Sequence, residues 1–132
     1  MIILRYLSNQ AYQTMYYELP KKDKKVARLL MDKGLLIEFV RGLNSFDAIL
    51  QNWKAGNGDV KETYYAIFSA VKDFDKHIAR RYYGIGGSRY LETVISQLVD
   101  EVYDISEIDA FSPAVKADAL RFVNSWKEVL NR

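Results

Sequence analysis

Val60-Lys61-Glu62-Thr63-Tyr64-Tyr65-Ala66-Ile67-Phe68-Ser69-Ala70-Val71-Lys72-Asp73-Phe74-Asp75-Lys76-His77-Ile78-Ala79-Arg80-Arg81-Tyr82-Tyr83 reads as an amphipathic helix. Its apolar residues Val60, Tyr64, Ile67, Phe68, Val71, Phe74, Ile78 and Tyr82 follow one another at steps of 4, 3, 1, 3, 3, 4 and 4. That spacing keeps them on one face of a 3.6-residue period. Asp59 stands where a side-chain oxygen accepts from an unpaired first-turn N–H, and Gly56-Asn57-Gly58 before it is a turn. The expectation is a helix over residues 60–83 with this stripe as its buried face.

Working outward, helical spacing recurs almost throughout. Residues 88–104 carry Leu91, Val94, Ile95, Leu98, Val99 and Val102 on one stripe, with Ser88 as the expected N-cap. In Ser112-Pro113, a capping residue precedes a proline at the first helical position, where its missing N–H costs nothing. The helix over 113–130 then has Val115, Ala119, Phe122, Val123, Trp126, Val129 and Leu130 as its expected buried face. Towards the N-terminus, residues 8–19 carry Ala11, Tyr12, Met15, Tyr16 and Leu19 at helical spacing, and Pro20 stops that pattern. Asp23 is placed to cap a helix through Met31. Gly34 is either a break or a tolerated mid-helix glycine, and Leu35 to Leu43 resume the pattern. Ser45 is placed to cap a short helix over 46–54. No segment alternates with period 2 over a useful length. The fold class expected is all-α: one domain over residues 1–132, a bundle of five to six helices with mostly antiparallel neighbours and no β-sheet.

The chain has 132 residues, 49% of them hydrophobic, and no cysteine. The length suits one domain, and the apolar content is too high for a disordered chain. Zero cysteines exclude a disulfide scaffold, a thiolate zinc site, an iron–sulfur cluster and a cysteine nucleophile. The opening Met1-Ile2-Ile3-Leu4-Arg5 is broken by a charge, too short to span a bilayer, and lacks the flanks of a signal peptide. The expectation is a soluble, intracellular, cytoplasmic protein with no membrane partner. Whether residues 1–7 form helix, strand or arm is open.

Net charge is only +2, but residues 1–91 hold 15 basic and 9 acidic side chains while residues 92–132 hold 4 and 8. Helices pairing by sign within the fold or an oligomer account for this polarity. A basic surface facing an anionic partner is the alternative. Ten tyrosines suit half-buried and interfacial positions, because tyrosine combines a large apolar body with a polar tip.

Two basic stretches are candidate anion or nucleic-acid sites. In the first, Arg80, Arg81, Tyr82 and Tyr83 end a helix, a loop with Gly86 and Gly87 follows, and Ser88, Arg89 and Tyr90 open the next helix. Arginine forks suit phosphate oxygens, tyrosines can stack on bases, and helix N-termini attract anions. The ordinary reading is a helix C-cap at Gly84 with dipole-complementing arginines and a tight turn. Neither a P-loop nor a dinucleotide fingerprint is present. The second stretch is Lys21, Lys22, Lys24 and Lys25, ordinarily a solvated helix start.

Asp73 and His77 share a helix face but supply too few ligands for a closed metal site. Asp100, Glu101, Asp104, Glu107 and Asp109 lack a calcium-loop pattern. With one histidine and no nucleophile elbow, a Ser–His enzyme is disfavoured. No catalytic residue, metal or cofactor is therefore expected. The function expected is non-enzymatic binding or assembly, with a protein partner or a homo-oligomer. Nucleic-acid binding is the alternative, and an enzyme using the acidic stretch stands third.

Overall fold

A computed structural model describes residues 16–131. Among these residues there are four α-helices and two 3-10 segments, and no strand. The helices are α1 (Lys21–Lys54), α2 (Val60–Tyr82), α3 (Tyr90–Val99) and α4 (Pro113–Leu130), with 3-10 segments at Gly87–Arg89 and Ile105–Ala110. The all-α class is as the sequence predicts. The chain divides into two compact units, Met1–Gly34 with Gly84–Arg132, and Leu35–Tyr83. Helix α1 contributes its first residues to one unit and the remainder to the other.

Helix α1 runs unbroken for 34 residues, about 50 Å at 1.5 Å per residue. The segment over 46–54, expected as a short helix of its own, continues it. Gly34 does not break it and Ser45 does not cap a new helix. Tyr16 to Pro20 are not helical, which corrects the C-terminal end of the expected 8–19 helix; the rest of that segment lies outside the described residues.

In the first unit α3 is the central element, with every residue from Leu91 to Leu98 buried. A helix buried all round must settle its polar side chains internally. Glu92 accepts from Arg89 at 2.9 Å, Ser96 donates to the Thr93 carbonyl at 2.8 Å, and the Tyr103 hydroxyl donates to Gln97 Oε1 at 2.6 Å. Gln97 also donates to the Met31 carbonyl at 3.3 Å. Its amide lies against Gly34, where a Cβ would fall 2.1 Å from Gln97 Nε2. The glycine is therefore a seat for a buried side chain. Helix α4 packs against α3, and its buried residues Val115, Ala119 and Val123 are spaced four apart.

The ends of α3 differ from expectation. The helix begins at Tyr90, after a 3-10 turn whose N-cap is Gly86, so Ser88 is not the cap; its carbonyl instead accepts from the Tyr17 N–H at 2.9 Å. It stops at Val99, short of residue 104. The Val102 N–H bonds the Gln97 carbonyl and the Glu101 N–H bonds the Leu98 carbonyl, with Glu101 at φ 56°. This is a Schellman closure with a glutamate in the left-handed position glycine usually takes.

The N-cap of α4 is also altered. Pro113 takes the first position as expected. Ser112, however, donates both its N–H and its hydroxyl to the buried Asp23 carboxylate, each at 2.8 Å. Asp23, expected to cap its own helix, lies inside the first turn of α1 and anchors the start of α4.

The second unit is an antiparallel helical hairpin made by the rest of α1, a glycine turn and α2. Asp59 caps α2 as expected, accepting from the Glu62 N–H at 3.2 Å. Early residues of α1 meet late residues of α2. Phe74 packs edge-on against Phe46 and tilted against Phe39, and Gly42 admits the ring: a Cβ there would lie 2.6 to 2.9 Å from its atoms.

Candidate functional site

The hairpin seam uses only one edge of the apolar stripe on α2. Thr63, Ile67, Ala70, Phe74, His77 and Arg81 recur at steps of 4, 3, 4, 3 and 4, and all are buried or half-buried. The adjacent edge, expected to be buried, is not. Val60 is 68% exposed, Tyr64 66%, Phe68 57% and Val71 43%. Tyr65, beside them, packs edge-on against Tyr64 with ring centroids 5.4 Å apart and is itself exposed. On α1, Leu36, Val40 and Leu43 form a second exposed stripe on the side turned away from Glu38 and Gly42. Two helices provide too little partner surface to cover a wide apolar face, which leaves a row of apolar side chains in water on each of them.

The same hairpin holds a buried polar cluster. Glu38, His77 and Arg81 are 5%, 7% and 8% exposed. Glu38 Oε1 accepts from Arg81 Nη1 at 2.8 Å and lies 2.7 Å from His77 Nε2, and the Tyr82 hydroxyl donates to Oε2. Burial pushes the Glu38 carboxyl up. The His77 hydrogen bond, the Arg81 charge and the Tyr82 hydrogen bond outweigh it, so the carboxyl is held below its ordinary value. An ionised carboxylate only accepts, which makes His77 Nε2 the donor. With both oxygens engaged by three side chains, the arrangement acts as a clamp between the helices. Sequence spacing paired His77 with Asp73 and missed Glu38. The available signal was the row Gly34, Glu38, Gly42 and Phe46, four residues apart, legible only once α1 is read as continuous.

The basic positions are shared between the two units. In the hairpin, Arg81 and the Tyr82 hydroxyl engage Glu38, while Arg80 and Tyr83 are exposed. Gly84 follows the helix at φ 69°, a conformation suited to glycine. In the other unit, Arg89 forms a two-pronged contact with Glu92, which raises its pKa through that hydrogen bond. Lys21, Lys22 and Lys25 are exposed on the first turns of α1. Lys24 is brought to the glycine loop, its chain beside Gly87, with Nζ 3.9 Å from Glu18. Gly86 is exposed, and Ser88 and Tyr90 are half-buried.

Three side chains of the acidic stretch are engaged by neighbours in the fold. Asp104 accepts from the Ser106 N–H, and hydrogen bonding from the Ser106 side chain, then from its backbone, holds its carboxyl below the usual range; Glu107 pairs with Lys33, and Asp109 with Lys116 at 2.7 Å. No helix among the described residues is long and apolar enough to cross a membrane. No family model, curated protein or solved structure matches this chain.

Proposed function

We propose that this chain is a non-enzymatic binding or assembly protein that works through the apolar outer face of its hairpin. The observation that supports this is the exposure of Tyr64, Phe68 and Val71 on α2, with Leu36, Val40 and Leu43 on α1. Exposed apolar rows of this extent mark surfaces that another macromolecule covers, and large aromatic side chains anchor such contacts. The polar residues nearby serve a different end: the Glu38 clamp fixes one helix against the other and keeps the outer face rigid.

The test compares the parent chain with a Tyr64→Ser/Phe68→Ser variant as affinity baits. Both positions are exposed, so the variant should keep its circular dichroism and melting temperature within a few degrees. Association that the parent makes and the folded variant loses supports the reading. Equal association by both, or none by either, removes it.

A further inference from the structure

The charges along α2 specify what covers its exposed stripe. Lys61, Phe68 and Asp75 lie seven residues apart, two helical turns each way, and so share one face. All three are exposed, with Tyr64 and Val71 between them. Neither Lys61 nor Asp75 takes part in an ion pair among the described residues. Lys61, Phe68 and Asp75 therefore place positive, aromatic and negative groups at equal intervals along the face, with exposed Lys72 at its edge. Such a pattern is complementary to its own reverse. In a parallel pairing of two α2 helices, lysine would face lysine and aspartate would face aspartate. In an antiparallel pairing, each lysine faces an aspartate.

We propose that a second copy of this chain covers this stripe, with the two α2 helices antiparallel about a two-fold axis at Phe68. The inference rests on the assembly reading above and names its partner. The two Phe68 rings meet at the axis. Lys61 of each copy comes level with Asp75 of the other, about 10 Å along the helix on either side. Lys72, four residues beyond Phe68, comes level with Tyr64 across the axis, where an ammonium can lie over the ring. A two-fold interface demands this kind of self-complementarity, since each contact is made twice.

The experiment is sedimentation of the full chain up to about 100 µM, since dimer formation follows mass action. The parent should pass from 15.3 kDa to twice that mass. Lys61→Asp alone and Asp75→Lys alone should each weaken the dimer at least about tenfold, through like charges placed opposite one another. Mixing the two variants should restore it, because each then supplies the sign the other needs. Phe68→Cys, the only thiol in the chain, should cross-link as a covalent dimer on oxidation. A dimer indifferent to both reversals, or lacking the cross-link, overturns this geometry.

A strict monomer overturns the second copy as occupant, and binding of the apolar dye bis-ANS then separates the two readings. Dye bound by the monomer and lost in Tyr64→Ser/Phe68→Ser leaves the surface open for another partner, and the assembly reading survives. A monomer that excludes the dye has covered the stripe with its own chain, and both readings fall.

Discussion

Gly34 and Gln97 touch so closely that a single added carbon at residue 34 would sit 2.1 Å from the Gln97 amide nitrogen. Gln97 cannot retreat cheaply, because the Met31 carbonyl and the Tyr103 hydroxyl hold its amide from both ends. Gly34→Ala should therefore cost about 1–3 kcal/mol of overpacking and broken hydrogen bonds, even though alanine favours a helix by about 1 kcal/mol. Gly86→Ala is the control. Its backbone sits at φ −82° with nothing within 4 Å of an added Cβ, so it should be neutral or slightly stabilising. Urea unfolding of both variants checks the contrast.

Gly42 and Phe74 make the corresponding contact in the hairpin. Gly42→Ala should lose about 1–3 kcal/mol, because a ring in a packed seam is rigid. Trimming the ring in a Gly42→Ala/Phe74→Leu double variant should recover part of that loss. The two changes would then be non-additive in a double-mutant cycle measured by denaturant unfolding.

The Glu38 carboxyl sets an acid dependence. Its folded pKa is below the ordinary value, so the unfolded chain takes up the proton first as pH falls. Its stabilising contribution is complete above the unfolded carboxylate pKa and is lost as pH falls through the folded one. Thermal melts from neutral pH into the acid range should show this loss in the parent and a flatter profile in Glu38→Gln. That variant should also be less stable near neutrality, since it removes the Glu38 charge from beside the buried Arg81 guanidinium.

Tyr17 should titrate late. Its hydroxyl donates to Asp118, and that bond, then burial, then the Asp118 charge push the phenol up to about 12. Its contribution to stability is complete below the ordinary tyrosine pKa of 10.0 and is lost as pH rises towards about 12. Ultraviolet difference titration should show one fewer late-titrating tyrosine in Tyr17→Phe than in the parent.

Adjacent arginines should behave differently. Arg81→Ala should cost about 3–5 kcal/mol, because it removes a partner from a buried carboxylate, whereas Arg80→Ala should stay within about 0.5 kcal/mol. Fluorescence anisotropy with short RNA and DNA at about 50 and 200 mM salt tests the nucleic-acid alternative. No salt-sensitive binding is expected. Binding that disappears in Arg80→Ala with Lys21, Lys22 and Lys25 also changed to Ala would replace assembly as the leading reading.

What was legible in the sequence was whatever local chemistry decides. The all-α class, the start of α2 at Asp59 and the start of α4 at Pro113 all follow from helical spacing and from caps within a few residues. The readings that failed depended on distant partners. Gly34, which local spacing reads either as a break or as a mid-helix glycine, stays helical and leaves room for Gln97, 63 residues later. Asp23 holds Ser112 instead of its own helix end. Glu38 became visible as a clamp only when His77 and Arg81 were seen around it. The stripe on α2 shows the division most plainly. Its periodicity announces a face that prefers to leave water, but burial requires an opposing surface, and hydrophobic spacing along one helix carries no information about which neighbour will supply it. Tertiary packing turned one edge of that face inward and left Tyr64, Phe68 and Val71 outside.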